Sequence, residues 1–186
     1  DTTAPTITVL GDNPAAVELN DVYVDAGATA VDTLDGALTG DIITDESAVD
    51  TSTEGTYTVT YDVMDSSGNA AATATRDVVV ADTINPSIDT TTLVIDPATR
   101  VDQNDTVNFT VDVTDANGIA NVTLTINGTT IEMDNGGSGD TYSASFDTTG
   151  LALGTYTYTI TATDSYGNEE TITGTIIITI VSPITV

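Results

Sequence analysis

The sequence predicts an all-β protein made of two β-sandwich domains in tandem. In residues 55–69, and again in residues 154–168, large apolar side chains fall on alternate positions, with mostly Thr between them. A period of two is that of a strand with one buried face. Each segment runs into Asp-x-x-Gly-Asn, a turn signal, and a second apolar–polar strand follows. The copies are 154 − 55 = 99 residues apart, so the chain contains one hairpin twice.

The composition agrees with strands and excludes several chemistries. Thr makes up roughly a fifth of the residues, far above ordinary usage, and favours strands together with Val and Ile. No long segment has helical periodicity. The chain has no Cys, Lys or His, which excludes disulfides, Lys–Asn isopeptide cross-links, and the commonest general base and zinc ligand.

The charge is strongly one-sided, with 29 acidic residues against two arginines, Arg76 and Arg100, and a formal net charge of −27. A field of that sign repels nucleic acid and anionic membranes, so we expect neither as a partner. It also destabilises the compact state unless counterions lie close by. Two explanations remain open and can coexist: bound divalent cations, and screening of the carboxylates in a salty exterior.

A repeated opening places the domain boundary. Residues 1–7 and 82–88 both read as a polar linker with Pro that leads into a strand. These openings are 82 − 1 = 81 residues apart, so the second domain is longer by 99 − 81 = 18 residues before its hairpin. We therefore predict domains at residues 1–82 and 83–186. The predicted strands are residues 6–10, 15–19, 28–31, 41–44, 56–64 and 71–80, then 91–95, 106–114, 119–126, 129–133, 141–146, 156–163 and 170–181.

About seven short strands with regular turns in roughly a hundred residues describe an immunoglobulin-like (Ig-like) sandwich. The first domain also carries Tyr-Val-Asp-Ala-Gly-Ala-Thr-Ala at 23–30, Asp-Gly-Ala-Leu-Thr-Gly at 35–40 and Gly-x-Tyr at 55–57. With these motifs it resembles the Ig-like surface repeats, related to hyalin repeats, of bacterial and archaeal extracellular proteins. The second domain, through residues 114–128 and 154–168, resembles a different Ig-like or fibronectin-like repeat.

The resemblance implies an extracellular location at the cell surface and a structural role. We expect a non-enzymatic building block of a surface layer, filament or stalk, stabilised by calcium or high salt, whose partners are copies of itself or other cell-surface proteins. The alternative is an adhesin or a carbohydrate-binding accessory module of a secreted protein. Exposed loop aromatics would favour that alternative, and Tyr166 and Tyr142 are the candidates. The sequence has no Gly-x-Ser-x-Gly motif and no phosphate-binding loop.

Loops at one end of each domain predict calcium sites. In an Ig-like unit the last hairpin turn and the loop between the second and third strands lie where the chain enters, and Ca²⁺ takes six to eight oxygens without strict geometry. Ordinary turn chemistry is the alternative, because Asp, Gly and Asn also favour turns for local reasons. The candidate ligands at the domain junction are Asp82, Asn85, Asp115, Asn117, Asp164 and Asn168. The corresponding candidates in the first domain are Asp1, Asp32, Asp35 and Asp65.

Two further features concern export and assembly. Four Asn-x-Thr triplets, at Asn104, Asn108, Asn121 and Asn127, are candidate glycosylation sites, although a Thr-rich chain also produces such triplets by chance. The apolar run at 176–181 is too short to span a bilayer, so we expect no direct membrane insertion. We expect residues 175–181 to pair as a sheet strand, with strand exchange through residues 175–186 as the alternative.

Overall fold

The computed structural model of the chain describes residues 1–98, 100–137 and 139–180. Within these ranges the regular elements are β-strands and one short 3-10 turn, Thr39–Asp41, so the predicted all-β class is confirmed. None of the described residues forms a helix long and apolar enough to cross a membrane. The chain divides into two compact units, Asp1–Thr83 and Ile84–Val186. The boundary predicted between residues 82 and 83 stays a prediction.

The first unit is a sandwich of two sheets. Its strands are β1 (Thr6–Val9), β2 (Ala15–Glu18), β3 (Ala28–Asp32), β4 (Gly36–Ala37), β5 (Ile43–Asp45), β6 (Gly55–Asp62) and β7 (Ala74–Ala81). One sheet has the order β1-β3-β4 and the other the order β2-β7-β6-β5; β2 runs parallel to β7, and the other pairs are antiparallel. Both sheets send side chains into one core, which contains Ala28 from β3, Val59 and Tyr61 from β6, and Val78 from β7.

The second unit is a larger sandwich with its own core. Its strands are β8 (Ser87–Asp96), β9 (Arg100–Asp102), β10 (Thr106–Thr114), β11 (Ile119–Ile126), β12 (Thr129–Glu132), β13 (Thr141–Asp147), β14 (Gly154–Asp164) and β15 (Glu169–Thr179). The sheets have the orders β13-β10-β8 and β12-β11-β14-β15-β9, and β9 runs parallel to β15. Phe109 from β10 meets Tyr158 from β14 edge to face, with ring centroids 5.1 Å apart.

Two short strands, β4 and β9, are absent from the sequence-based prediction. They have only two and three residues, which is too short for a period of two to be recognised. Strand β8 begins at Ser87, four residues before its predicted start, because Ser87 pairs with Thr114 of β10. Strand β15 ends at Thr179, and the predicted end at residue 181 lies outside the described residues.

The repeated hairpin shows the same tyrosine geometry in both units. The hydroxyl of Tyr57 donates to the carbonyl of Thr53 at 2.8 Å, and that of Tyr156 donates to the carbonyl of Ala152 at 2.9 Å. In each case the acceptor lies four residues upstream, as in the tyrosine corner of Ig-like folds. Each ring packs against its core. These two tyrosines therefore have a structural role.

Candidate functional site

The turn between β6 and β7 is held by the carboxylate of Asp65. Its Oδ1 accepts hydrogen bonds from the backbone N–H groups of Ser67 and Asn69, at 2.9 and 2.7 Å, and its Oδ2 accepts one from Nδ2 of Asn69 at 2.7 Å. Gly68 has a φ of +90°, which favours glycine. The Asp65 carboxylate therefore does the turn chemistry expected of Asp-x-x-Gly-Asn.

The turn between β14 and β15 repeats this arrangement around Asp164. Its Oδ1 accepts the N–H groups of Tyr166 and Asn168, at 2.8 and 2.9 Å, and its Oδ2 accepts Nδ2 of Asn168 at 2.7 Å. Burial raises the pKa of both Asp65 and Asp164, but the bonds from the Asn side chain and the turn backbone outweigh burial, so each pKa lies below its ordinary value. Both side chains are therefore carboxylates at neutral pH.

Three carboxylates meet at one end of the first unit, and we call them the three-aspartate cluster: Asp1, Asp32 and Asp65. Each offers an oxygen atom within 4.8 Å of the oxygens of the other two. They come from separate parts of the chain, since Asp1 precedes β1, Asp32 ends β3 and Asp65 begins the β6–β7 turn. The fold therefore gathers three negatively charged side chains that are distant in sequence.

Asp32 is the unusual member of this cluster. Its Oδ1 accepts the N–H groups of Leu34 and Asp35, at 2.7 and 3.0 Å. Its Oδ2 is buried and has no hydrogen-bond partner among the described residues, and the whole residue is 5% exposed. The two backbone N–H groups hold the pKa of Asp32 below its ordinary value, against its burial and the charge of Asp65. Within the described part of the chain, this buried carboxylate oxygen therefore has no hydrogen-bond donor.

Asp35 braces the same end of the unit in another way. Its Oδ2 accepts the N–H of Ser66 at 2.8 Å, and its Oδ1 accepts the Ser66 hydroxyl at 2.9 Å. Both oxygens are thus engaged in tying the loop after β3 to the β6–β7 turn. Of the four first-domain candidates, the structure brings three together and gives Asp35 this bracing contact.

In the second unit the structure brings Asp115 and Asp164 together, with carboxylate oxygens within 4.8 Å. Asp115 accepts the N–H of Asn117 at 2.7 Å. Ser165 donates its N–H and its hydroxyl to the carbonyl of Gly118, at 2.9 and 3.1 Å, which ties this loop to the turn of Asp164.

The remaining junction candidates belong to different units. Asp82 lies in the first unit, where its N–H donates to the Glu54 carboxylate at 3.2 Å, and Asn85 lies in the second unit. A ligand role for Asp82, Asn85, Asn117 or Asn168 stays a prediction.

The four candidate glycosylation sites are all exposed. Asn108 accepts the hydroxyl of Ser145 at 2.7 Å across β10 and β13. Asn104 and Asn127 have positive φ angles of 69° and 50°, and Asn127 lies in the turn between β11 and β12. Exposure is a condition for sugar attachment, and modification of Asn104, Asn108, Asn121 or Asn127 stays a prediction.

The prediction that Tyr142 is an exposed loop aromatic is wrong. Tyr142 lies on β13, pairs with Val111, and is 8% exposed because it occupies an inward position between Thr141 and Ser143. Tyr166 is 44% exposed at the tip of its turn. A groove of about 430 Å³ in the second unit has a polar and acidic lining without aromatic rings: Ser87, Ile88, Asp89, Thr90, Asp112, Thr114 and Asp140.

The sequence analysis missed a buried ion pair in the first unit. Arg76 is 1% exposed, and its guanidinium binds the carboxylate of Asp25. That carboxylate also accepts the hydroxyls of Tyr23 and Tyr61, at 2.9 and 2.7 Å, and the N–H of Gly27 at 3.1 Å. A signal was present, because Arg76 occupies an inward position in the alternating pattern of β7.

Comparison with protein families gives a match in each unit. Residues 7–80 match the model of the bacterial surface protein Ig-like domain, and residues 91–160 match that of a bacterial Ig domain. A comparison with curated proteins finds no significant match.

Several solved structures are similar at low identity. The fibronectin(III)-like modules of Clostridium thermocellum CbhA share 15% identity, with 94% of each chain covered and a TM-score of 0.42. The endo-β-1,4-mannanase of Thermotoga petrophila shares 16% identity over 54% of this chain and 21% of its own, with a TM-score of 0.38. A lipoprotein of Bacteroides thetaiotaomicron shares 16% identity, covering 91% and 98%, with a TM-score of 0.37.

These structural similarities are too weak to carry a conclusion, so the assignment to a family rests on the two family matches. Both matches fall on the predicted sandwiches, and the first family is one of bacterial surface proteins. The predicted resemblance is thereby confirmed: the chain consists of two tandem bacterial Ig-like domains of the kind found in cell-surface proteins.

Proposed function

We propose that this chain is a structural part of a bacterial cell-surface assembly, a surface layer, filament or stalk. In this proposal its two Ig-like domains are stiff, non-enzymatic spacers stabilised by calcium or high salt. The observation that carries the proposal is the filled interior of each unit. Inward positions of both sheets meet in one core, with residues such as Val59 and Val78 in the first unit and Phe109 and Ile160 in the second fully buried.

The polar contacts support the same role. In Asp65 and Asp164, both carboxylate oxygens accept hydrogen bonds from their own turn. Asp35 binds Ser66, and Ser165 binds Gly118, so one loop is fastened to another in each unit. These contacts stiffen the ends of the sandwiches, which is what a spacer requires.

The charge supports stabilisation by cations. A formal charge of −27 on 186 residues destabilises a compact state through self-repulsion. Of the two arginines, Arg76 is buried against Asp25 and does not neutralise the surface. Mobile or bound cations from outside must therefore supply most of the compensation.

Tyr166 favours a second candidate, an adhesin or a carbohydrate-binding accessory module, because its ring is 44% exposed on a turn. A sugar site is usually built on aromatic side chains together with polar groups. The burial of Tyr142 and the non-aromatic lining of the second-unit groove weaken this candidate. We therefore place it second.

The proposed partners are copies of this chain or other surface proteins. Strand exchange through residues 175–186 stays a prediction, and residues 181–186 lie outside the described part of the chain. Strand β15 is paired with β14, and at residues 177–179 it is also paired with β9. Donation of residues 175–179 to a neighbouring chain would therefore break their pairing with β14 and, at residues 177–179, with β9, whereas end-to-end or side-to-side packing would keep both.

Electron microscopy tests the proposed function. Native material, and concentrated protein in calcium and NaCl, should form lattices or filaments, because screened acidic faces can approach each other. The same protein in chelator at low salt is the control and should be dispersed. Dispersed monomers at high concentration in calcium and salt would contradict the proposal.

A further inference from the structure

We propose that the three-aspartate cluster of the first unit is a Ca²⁺ site that fastens the entering chain to the two loops beside it. This inference deepens the proposed function and rests on it in one respect, the general need for cations. It goes further by assigning one ion to Asp1, Asp32 and Asp65. Four observations support it, each taken from the first unit alone.

The first observation is the free oxygen of Asp32. The turn after β3 needs a single acceptor, and Oδ1 provides it by binding Leu34 and Asp35. An asparagine would hold that turn equally well, because its side-chain oxygen is the same acceptor. Oδ2 is an additional, charged oxygen that is buried and has no hydrogen-bond partner among the described residues. Buried charges in proteins are paired or bind metals, so Oδ2 requires a cation.

The second observation is the spacing of the cluster. The three offered oxygens lie within 4.8 Å of one another. Because Ca²⁺ binds oxygen at about 2.3–2.6 Å, ligands on opposite sides of one ion are separated by about twice that distance. A single Ca²⁺ can therefore touch all three aspartates, with water completing its shell. Mg²⁺ is a poorer fit, since it demands near-ideal octahedral geometry at about 2.0–2.1 Å.

The third observation is the supply of charge. Asp32 and Asp65 are carboxylic side chains that the fold buries, with exposed fractions of only 5% and 6%. The first unit contains one basic side chain, Arg76, and its guanidinium is bound to Asp25. The basic side chain of this unit is thus engaged away from the cluster, which leaves the cluster to a cation from solution.

The fourth observation is where the three aspartates attach. Asp1 precedes β1, Asp32 ends β3, and Asp65 begins the turn between β6 and β7. Weak protein contacts already connect these segments, since Nδ2 of Asn69 donates to the Asp1 carbonyl at 3.3 Å. An ion bound here would pin residues 1–5 to the sandwich. Calcium would thus set the direction in which the chain enters the first domain.

The test uses the full chain and a matched pair of variants. Asp32→Asn keeps the Oδ1 acceptor and removes the charge of Oδ2. Asp50→Asn removes one charge from an exposed turn in the same unit, where Asp50 accepts the N–H of Ser52 at 2.9 Å outside the cluster. Calorimetric titration with CaCl₂ should show an affinity loss of about tenfold or more for Asp32→Asn, because calcium affinity depends on the number of ligand charges. Asp50→Asn should change the affinity less than about twofold.

Two further readouts separate a metal ligand from a structural residue. In chelator, Asp32→Asn should melt at or above the wild-type temperature, because charge repulsion in the cluster is relieved; in calcium it should melt below wild type. Mn²⁺, used as a paramagnetic probe, should broaden amide NMR signals around residues 32–35 and 65–69 first. Unchanged calcium affinity in Asp32→Asn, equal destabilisation in chelator and calcium, or Mn²⁺ broadening centred elsewhere would each overturn the site.

The same measurements separate this site from the general proposal. If NaCl still raises the melting temperature of both variants, the acidic surface is stabilised by cations whatever happens at the cluster. Loss of the site with that salt effect intact overturns only the calcium assignment. Absence of the salt effect would count against the proposed cation stabilisation itself.

Discussion

Replacing Asp25 with Ala should lower the free energy of unfolding of the first unit by about 3 kcal/mol. The reason is that Arg76, at 1% exposure, would keep its charge inside the sandwich with its carboxylate partner removed. Removing one partner of a buried pair typically costs about 3–5 kcal/mol, and the lower end applies because the Asp25 side chain is 12% exposed. The hydroxyls of Tyr23 and Tyr61 would also lose their acceptor. Urea denaturation followed by tyrosine fluorescence measures the change.

Asp77→Ala is the matched control, because Asp77 is the exposed neighbour of Arg76 on β7 and its carboxylate accepts a long hydrogen bond, 3.4 Å, from the Thr58 hydroxyl. It should change stability by less than about 0.5 kcal/mol. Equal losses in the free energy of unfolding for the two variants would contradict the expected contribution of the buried ion pair.

The pH dependence of the Asp25 effect has a defined sign. Burial raises the pKa of Asp25, but the bonds from Tyr61 and Tyr23 and the charge of Arg76 outweigh burial, so its pKa in the folded unit lies below the ordinary value. A lowered pKa gives stability that is present above the unfolded pKa, about 3.9, and is lost as pH falls through the folded pKa. The gap between wild type and Asp25→Ala should be constant from about pH 5 to 8 and shrink in acid. A gap that widens in acid would contradict this account.

Gly174→Ala should destabilise the second unit by about 1–3 kcal/mol through overpacking. Gly174 on β15 pairs with Tyr158 on β14, and the tyrosine ring lies over the glycine. An added Cβ would overlap the Oη and Cζ atoms of Tyr158 and lie 2.7 Å from Cε1. The ring cannot move aside easily, because Tyr158 is 6% exposed and packs edge to face on Phe109.

The sign of the stability change in Gly174→Ala distinguishes overpacking from the usual effect of a Gly→Ala substitution. Gly174 does not have a positive φ, and Gly→Ala at such a position without steric conflict usually stabilises by about 0.4–1 kcal/mol. Gly40→Ala is the control, because a Cβ there meets nothing within 4 Å and its φ is not positive. A neutral or stabilising Gly174→Ala in urea denaturation would show that the ring yields without cost.

The strand pattern was predictable because it is local. Val59 and Tyr61, and likewise Tyr158 and Ile160, are fully or almost fully buried, as their alternation with Thr indicates. Tyr142 follows the same rule between Thr141 and Ser143 on a strand that was predicted, so its burial could have been expected from the alternation, and naming it as an exposed aromatic disregarded that pattern. Strands β4 and β9 carry too few residues to show a period.

The sites depend on contacts that the sequence does not encode locally. Asp25 and Arg76 are 51 residues apart, and no spacing rule joins them. The three-aspartate cluster could be expected as a set, since loops at one end of a sandwich converge. The different contacts of Asp32 and Asp35 could not be predicted. Asp35 accepts two hydrogen bonds from Ser66, whereas Asp32 has one oxygen without a partner among the described residues.

The melting temperature of the full chain under three conditions tests most directly whether outside cations stabilise these acidic domains. Chelator at low salt should give the lowest value, and either CaCl₂ or NaCl should raise it by several degrees, since about 1 kcal/mol corresponds to about 4–8 °C for a domain of this size. Calcium should act at far lower concentration than sodium if the three-aspartate cluster binds it. Identical melting curves in chelator, calcium and NaCl would contradict the account.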